Sequence, residues 1–238
     1  MVTDLVKLDL AWQYRGDNSM SDYSNIIKDV EQLYRSTARK YGNTPIAVGW
    51  KDYKSQELRF SILSEIGIFD GCSVLDVGCG YGAFYEFLIK RCNIGYYLGI
   101  DIVKEFIDTA KKKYKNYKNV DFLLMDIMEL NKKYKFDFVF NCGIFHVKFN
   151  YTNEEFFEKF VKPLILKMWE HTRIGMAFTF LTDAVDYKKP KLFYCSPSRM
   201  FEFLRNNVSK YIVLRHDYKL FEYTVYVYRE GKDYEKSN

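Results

Sequence analysis

Several features that define other classes of protein are absent from this chain of 238 residues. It has no run of about 18 uncharged apolar residues, and acids interrupt the apolar N-terminal stretch "MVTDLVKLDL". Its five cysteines are odd in number and include no C-x-x-C pair, so neither a disulfide framework nor a zinc-binding pattern can be assigned. We therefore expect a cytoplasmic protein with reduced thiols, no metal, no signal peptide and no membrane association.

The chain also lacks a strong excess of one charge. Its 36 lysines and arginines against 31 acids give a formal net charge of +5, which permits an anionic partner without requiring one. By contrast, 48% of the residues are hydrophobic and 18% are aromatic, enough to bury one substantial core. We expect one main domain over residues 49–238, preceded by a helical extension over residues 1–48.

Two amphipathic helices are predicted before the first strand. Apolar residues recur three and four apart over residues 21–41, and Gly42 follows as a stop signal. A second helix is predicted over residues 55–66 and is closed by Gly67.

The hydrophobic pattern then changes to short runs rich in Val, Ile, Phe and Tyr, separated by segments of helix length. These runs predict strands at residues 73–77, 96–101, 120–126, 136–141 and 175–181. Nearly continuous apolar runs indicate strands that are buried on both faces of a parallel sheet. The last segment, "KYIVLRHDYKLFEYTVYVYRE", contains two strands joined too closely for a crossover, so they pair antiparallel. We predict an α/β fold: a doubly wound, mostly parallel, seven-stranded sheet with helices on both faces and a C-terminal antiparallel hairpin.

A glycine-rich turn follows the first predicted strand in "VLDVGCGYG", with glycines at positions 78, 80 and 82. Open α/β sheets bind ligands at such strand-to-helix turns, and glycine lets the ligand approach the backbone. The G-x-G-x-G spacing differs from the G-x-G-x-x-G of dinucleotide sites. Asp76, just before the turn, would repel a pyrophosphate but attract a cationic ligand. The pattern therefore favours a ligand with an amino group or a sulfonium over a dinucleotide.

Polar residues end the next three predicted strands. Asp101 can accept two hydrogen bonds from ribose hydroxyls. Asp126 and the adjacent Ile127 can hold the edge and the face of an adenine. Asn141 ends the fourth strand. Each residue alone could be a turn former or a helix N-cap, but their convergence at one sheet edge beside a glycine turn favours a binding site.

Residues 73–145 resemble the class I S-adenosylmethionine-dependent methyltransferases. The stretches that carry the resemblance are "VLDVGCGYG", "YYLGID", "VDFLLMDI" and "FDFVFNCGIF". The resemblance implies S-adenosylmethionine as cofactor and S-adenosylhomocysteine as product. It implies that Asp76, Gly78 and Gly80 line the methionine part, that Asp101 binds the ribose, and that Asp126 and Ile127 hold the adenine. The neighbouring residues Cys79, Ile102 and Asn141 are also expected along the cofactor.

The helix before the first strand lies where such enzymes often contact the cofactor carboxylate. Gln56 and Arg59 are therefore candidates for that contact, although both could simply lie on a solvated helix face.

The sequence "NCGI" after the fourth strand lacks the Asp/Asn-Pro-Pro-aromatic motif of relatives that methylate exocyclic amines of DNA bases. It also lacks the Pro-Cys nucleophile of relatives that methylate pyrimidine carbon 5. The lysine run at 111–119 closes a predicted helix, where cations complement the dipole, so nucleic acid is not the expected partner.

His146 is the candidate general base, because it follows Asn141 in the loop that would face the transferring methyl group. The alternative to this catalytic role is that His146 only packs among neighbouring aromatic residues. The candidate contacts of the methyl acceptor are Tyr194, Arg199 and His216. His216 could instead be a structural residue of the hairpin turn. His171 is expected to face solvent on a surface helix.

Together these features predict a methyltransferase that acts on an oxygen or nitrogen of a small polar acceptor, with a sugar or sugar-nucleotide hydroxyl preferred. The extension over residues 1–48 is expected to close over the cofactor as a lid. Two alternatives stay open: methylation of a protein or tRNA, and a non-catalytic regulator that binds the cofactor. The sequence leaves the oligomeric state open, including a homodimer.

Overall fold

The computed structural model describes residues 18–231, which form seven helices and eight strands. The helices are α1 (Asn18–Tyr41), α2 (Tyr53–Ser64), α3 (Ala83–Ile89), α4 (Lys104–Lys113), α5 (Asn153–Phe156), α6 (Lys162–His171) and α7 (Pro197–Asn207). The strands are β1 (Ser73–Val77), β2 (Tyr96–Asp101), β3 (Val120–Leu124), β4 (Phe136–Asn141), β5 (Thr172–Thr182), β6 (Tyr194–Cys195), β7 (Tyr211–Arg215) and β8 (Glu222–Tyr228). A π-helical turn, Phe157–Val161, joins α5 to α6.

The strands form one sheet in the order β3-β2-β1-β4-β5-β8-β7, and the two-residue β6 pairs with β5. Strands β1 to β5 are parallel, whereas β8 is antiparallel to both β5 and β7. The predicted seven-stranded sheet with a closing hairpin is thus confirmed. The additional strand β6 is too short to produce a period that sequence patterning can detect.

Helices cover both faces of the sheet because alternate residues of each central strand point to opposite sides. Val74 of β1 packs in a cluster with Leu63 of α2 and Phe84 of α3. The next residue, Leu75, packs in the other main cluster, which includes Ile26 of α1 and Ile165 of α6. This two-sided burial explains why β1 and β4 read as continuous apolar runs.

The boundaries differ from prediction at several places, including α2, which spans Tyr53–Ser64 rather than residues 55–66. Strand β3 ends at Leu124, and Asp126 instead caps a 3₁₀ turn, its carboxylate accepting a 3.0 Å hydrogen bond from the Met128 amide. Strand β5 begins at Thr172 rather than 175. Helix α1 begins at Asn18, and residues 1–17 of the predicted lid lie outside the described part.

The prediction that His171 faces solvent is wrong. Helix α6 continues into β5 without a loop, so its last residue lies in the core and is 0% exposed. The His171 Nδ1 atom lies 2.8 Å from the Tyr134 carbonyl oxygen. Burial lowers the pKa of the imidazole below its ordinary value, so it is neutral near pH 7.

All five cysteines are free thiols in this structure. Cys72, Cys79 and Cys195 are buried as expected, but Cys92 and Cys142 are partly exposed. No helix among residues 18–231 is both long enough and apolar enough to cross a membrane.

Candidate functional site

A cleft lies at the carboxyl ends of β1, β2 and β4. It encloses about 710 Å³ together with the open space at its mouth. One wall comes from the glycine turn and the segments after β2, β3 and β4, and α1 covers the other side. Of the predicted cofactor residues, the cleft is lined by Gly78, Gly80, Asp101, Ile102, Asp126 and Ile127.

The turn after β1 depends on glycine. Gly78, Gly80 and Gly82 have φ angles of 76°, 54° and 79°, in the left-handed region. A Cβ on Gly78 would lie 2.4 Å from the Ile144 Cδ1 atom. Strand β2 holds the turn in place, because the Ile100 carbonyl oxygen accepts hydrogen bonds from the Gly78 and Cys79 amides at 2.8 and 3.1 Å. The backbone of Gly78 and Gly80 can therefore contact a ligand directly.

Asp101 joins the end of β2 to this turn. One carboxylate oxygen accepts a 2.8 Å hydrogen bond from the Gly80 amide, and the other accepts one of the same length from Val103. Burial raises the pKa of Asp101 to about 6, while these backbone donors favour its ionised form. Each oxygen retains a further lone pair for a ligand hydroxyl.

Tyrosines of α1 reach both cleft carboxylates. The Tyr23 hydroxyl donates a 3.0 Å hydrogen bond to Asp126 Oδ1. Tyr34 lines the cleft, and burial, with a smaller contribution from the charge of Asp101, raises its pKa to about 12. Burial also raises the pKa of Asp126. Helix α1 therefore bonds to one of the two residues expected to hold the cofactor and lies close to the other.

Asp76 lies behind the turn rather than in the cleft. Its side chain is on the face of β1 that packs against α2 and α3, is 2% exposed, and accepts a hydrogen bond from the Tyr97 hydroxyl. Burial raises the pKa of this carboxyl to about 7, against a smaller opposing effect of the Tyr97 hydrogen bond. Asp76 therefore lies next to the glycine turn but does not line the cleft.

The raised pKa of Asp76 predicts a dependence of stability on pH. Between the ordinary pKa of 3.8 and the folded value of about 7, the folded state binds the additional proton. The free energy of unfolding therefore falls as the pH rises through this window and stays low above it. Asp76→Asn keeps a partner for Tyr97 but cannot ionise. We expect this variant to be more stable at about pH 8, by about 1 kcal/mol or more.

Urea unfolding at a series of pH values tests this expectation. Asp101, with its pKa of about 6, contributes a similar slope at lower pH in both proteins. The difference between Asp76→Asn and the parent chain should therefore be clearest between pH 6 and pH 7. Parallel stability curves over that interval would show that Asp76 does not titrate there.

Beyond the glycine turn, the loop after β4 forms the far end of the cleft. Cys142, Gly143 and Ile144 line it. Asn141 is fully buried, donates a 3.3 Å hydrogen bond to the Val77 carbonyl, and has no partner for Oδ1 within the described residues. A Cβ on Gly143 would lie 2.3 Å from Trp50 Cη2, so the indole packs directly on this loop.

His146 lies just behind that loop and is 7% exposed. Its Nε2 atom is 3.4 Å from the Thr179 hydroxyl, and its ring lies edge-on to Trp50 with the ring centres 5.5 Å apart. Burial lowers the pKa of His146, and Glu222 partly opposes this effect. The imidazole is therefore neutral near pH 7 and able to accept a proton.

Gln56 and Arg59 are buried, 4% and 7% exposed, so they do not lie on a solvated helix face. The Gln56 Oε1 atom accepts a 3.3 Å hydrogen bond from the hydroxyl of Tyr81, within the glycine turn. Arg59 forms an ion pair with Glu222, and its Nε atom lies 2.9 Å from Glu222 Oε2. Helix α2 thus connects the glycine turn to strand β8.

The three predicted acceptor residues lie outside the cleft. Tyr194 is partly buried in β6, and its hydroxyl accepts a 3.1 Å hydrogen bond from the Lys189 amide. Arg199 pairs with Glu154 at 2.7 Å on the surface and lies over the Phe157 ring. His216 is exposed beyond the end of β7. The structure therefore brings none of them to His146 by a direct contact.

Sequence reasoning missed four side chains that shape the site: Tyr23, Tyr34, Trp50 and Glu222. The two tyrosines belong to the apolar stripe of α1 that the sequence predicts. Such a stripe does not show which of its residues contacts a carboxylate. Glu222 is an acid inside an otherwise apolar strand, which is the one signal that could have singled it out.

A parallel sheet with its ligand cleft at the carboxyl ends of the strands defines an α/β protein that binds a nucleotide-like ligand at its topological switch point. Residues 74–164 match a family described as a methyltransferase domain. A protein of Mycobacterium tuberculosis named as a methyltransferase, Rv1506c, is 30% identical over 160 residues, which is 66% of this chain and 93% of that relative. The chain therefore belongs to the class I S-adenosylmethionine-dependent methyltransferases.

Solved structures show the same fold. The magnesium protoporphyrin IX methyltransferase ChlM of Synechocystis PCC 6803, with bound S-adenosylmethionine, superposes with a TM-score of 0.59 at 15% identity, covering 92% of this chain and all of that one. The complex of DhpI with S-adenosylhomocysteine gives 0.62 at 17% identity, covering 88% and 99%. The cofactor of this family is S-adenosylmethionine, and the cleft fits it: the backbone of Gly78 and Gly80 and two carboxylates, Asp101 and Asp126, line it.

Proposed function

We propose that this protein transfers a methyl group from S-adenosylmethionine to an oxygen or nitrogen of a small polar acceptor, with a hydroxyl of a sugar or sugar nucleotide preferred. The observation that carries the proposal is the cleft itself. Two carboxylates, Asp101 and Asp126, line it together with the backbone of the glycine turn, and a neutral buried histidine lies behind the far end.

The cofactor positions follow from this arrangement. Asp101 would bind the ribose hydroxyls, and Asp126 with Ile127 would hold the adenine beneath Tyr23. The backbone of Gly78 and Gly80 would contact the methionine part, with Gln56 on the same side through Tyr81. Arg59 is held by Glu222, so we assign it to the acceptor side.

When bound, the cofactor supplies an activated methyl group on a sulfonium, and the protein has to position the acceptor and remove its proton. The acceptor oxygen would have to be held in line with that methyl group. The proton of the acceptor hydroxyl would pass to the imidazole of His146, which is neutral near pH 7 because burial lowers its pKa. The Thr179 hydroxyl, 3.4 Å from Nε2, orients the ring.

Calorimetric titration with S-adenosylmethionine, S-adenosylhomocysteine and NAD tests the cofactor assignment. We expect the first two to bind with micromolar dissociation constants and NAD to show no heat. Absence of binding by both sulfur ligands would remove the basis for the proposed reaction. A screen of sugars, sugar nucleotides and amines with methyl-labelled S-adenosylmethionine then identifies the acceptor.

His146→Gln separates a catalytic role from a packing role. A base contributes about 10²–10⁴-fold to rate, so we expect turnover to fall by at least about 100-fold while the affinity for S-adenosylhomocysteine is unchanged. His171→Gln provides a control, because His171 is another buried neutral histidine but lies far along the sheet edge at the start of β5. Equal loss of turnover in both variants would assign His146 to packing.

Helix α1 is proposed as the lid over the cofactor, because Tyr23 bonds to Asp126 and Tyr34 lines the cleft. Tyr23→Phe removes the hydrogen bond to Asp126 and should weaken binding of S-adenosylhomocysteine by about 2–10-fold, as expected for one hydrogen bond. Tyr53→Phe, at an exposed site outside the cleft, is the control. Deleting residues 1–48 should weaken binding further, and unchanged affinity after that deletion would contradict the lid.

A further inference from the structure

A second hollow lies at the edge of the sheet opposite the cleft, and the proposed reaction does not use it. It is found where the end of α3 meets the segments that precede β2 and β3, and it encloses about 870 Å³ together with the open space around it. We call it the basic groove and define it by six of the residues that line it: Asp70, Lys90, Arg91, Asn93, Tyr117 and Asn119.

Positive charge is concentrated at this groove. Residues 90–91 and 111–118 together hold seven lysines and arginines and no acid. Glu86 joins the two segments, because it pairs with both Lys90 and Lys113. Within residues 18–231, no ion pair is formed by Arg91 or by four exposed lysines of the second segment: Lys111, Lys112, Lys115 and Lys118. These cations can therefore bind an external anion.

Asp70 is the one acid among the described residues that line the groove. Its Oδ1 atom accepts a 2.8 Å hydrogen bond from the Asn93 amide, and the Cys92 thiol donates to the same oxygen at 3.2 Å. Asp70 thus holds the loop before β2 in place. One acid beside these cations leaves the groove positive.

An exposed aromatic ring stands among these lysines. Tyr117 is 48% exposed, and its ring lies edge-on to two buried tyrosines, with ring centres 5.9 Å from Tyr85 and 5.7 Å from Tyr114. Tyr114 is held in turn, because its hydroxyl donates a 3.0 Å hydrogen bond to the Gly82 carbonyl. These contacts fix the Tyr117 ring, so a ligand can stack on it at little cost in side-chain entropy.

The sequence alone favours a solvated helix end for the lysine run, because cations complement the dipole at the end of a helix. The structure adds two features that the dipole does not explain. Lys115 and Lys118 lie beyond Lys113, the last residue of α4, and they flank the fixed ring of Tyr117 in the groove. Cations on both sides of an exposed aromatic ring are typical of surfaces that bind single-stranded nucleic acid.

We propose that the basic groove binds a single-stranded nucleic acid. One base stacks on Tyr117, and the lysines contact the phosphates on either side of it. The side-chain amide of Asn93 is exposed and has no partner among the described residues, so it can bond to the edge of a base. An acidic protein would satisfy the lysines but has no base to stack on the tyrosine. The groove lies across the sheet from the cleft, so the proposal does not depend on the methyl acceptor.

Fluorescence anisotropy of the full chain with a labelled single-stranded RNA of about 12 nucleotides tests the proposal. We expect binding that weakens by at least about 10-fold when the salt concentration rises from about 50 mM to about 200 mM, because each bound phosphate releases counterions. The matching RNA duplex should bind at least about 10-fold more weakly, since its bases are not free to stack on Tyr117.

Variants at the groove and at a matched surface site locate the binding. Tyr117→Ala should weaken binding of the single strand by at least about 5-fold, and Lys115→Ala combined with Lys118→Ala should lower the slope of log affinity against log salt by about 1.4. The matched controls are Tyr187→Ala and the pair Lys188→Ala and Lys189→Ala, which lie in an exposed loop after β5. All of these side chains are at least partly exposed, so thermal unfolding should be unchanged.

Each result supports or overturns the proposal. Absence of binding by the single strand, or equal binding of the duplex, would overturn it. Displacement of the strand by polyglutamate of equal charge, together with full binding by Tyr117→Ala, would show a site for an acidic chain instead. Equal losses in the control variants would place the strand outside the groove. The affinity for S-adenosylhomocysteine should be the same in all variants, so failure of the cofactor assignment would not affect this test.

Discussion

Asp101→Asn is expected to weaken binding of S-adenosylhomocysteine by about 100-fold, as follows from losing a charge-assisted hydrogen bond worth about 1.5–3 kcal/mol together with a ribose contact. Both carboxylate oxygens accept hydrogen bonds from backbone amides, one in the glycine turn and one at the start of α4. An asparagine places an NH₂ group opposite one of those amides. The change therefore disturbs the turn and the ribose position together.

Calorimetry with S-adenosylhomocysteine measures this effect, and Asp121→Asn is the control. Asp121 lies on the neighbouring strand β3, accepts a 2.9 Å hydrogen bond from the Tyr96 hydroxyl and does not line the cleft. We expect the control to bind the ligand as the parent chain does. A loss of affinity below about threefold in Asp101→Asn would place the ribose elsewhere.

Arg59→Met should lower the free energy of unfolding by about 3–5 kcal/mol, because it leaves the Glu222 carboxylate buried without its partner. Glu222 is 3% exposed, and its ion pair joins α2 to a strand 163 residues later in the chain. The second change Glu222→Gln removes the stranded charge. We expect the double variant to recover most of the lost stability.

Urea unfolding at neutral pH measures both variants, and Arg39→Met serves as the control. Arg39 pairs with Glu105 at 2.8 Å but is 68% exposed, so its loss should cost less than about 1 kcal/mol. If the double variant is as unstable as Arg59→Met, packing around the two side chains matters more than the charge. If Arg59→Met costs no more than the surface control, the pair does not stabilise the folded state through charge compensation.

The residues that line the cleft beside the glycine turn could be named from sequence because their signals are local. Gly78, Gly80 and Asp101 lie in turns or at the ends of strands whose periodicity is clear, and parallel topology places such ends at one edge. Asp76 shows the limit of this reasoning. Strand alternation directs its side chain to the opposite face of β1, where it accepts a hydrogen bond from Tyr97 and does not line the cleft.

The acceptor side could not be predicted because its contacts join distant segments. Tyr194, Arg199 and His216 have suitable chemistry but lie away from the cleft, whereas Trp50 packs against Gly143 at its far end. Trp50 belongs to a turn-rich connection with no periodic pattern, so sequence patterning gives its side chain no direction. Only the packing of α2 against β8 shows that Arg59 reaches Glu222.

The sequence by itself determined the family, the order of strands and helices and the glycine turn, since these follow from hydrophobic periodicity and from short motifs within one turn of chain. The tertiary structure decided which side chains meet. Tyr23 over Asp126, Trp50 against Gly143 and Arg59 on Glu222 all depend on how separate elements pack. The physical reason is that side-chain contact across elements depends on rotation and distance, which the spacing of residues along a chain does not fix.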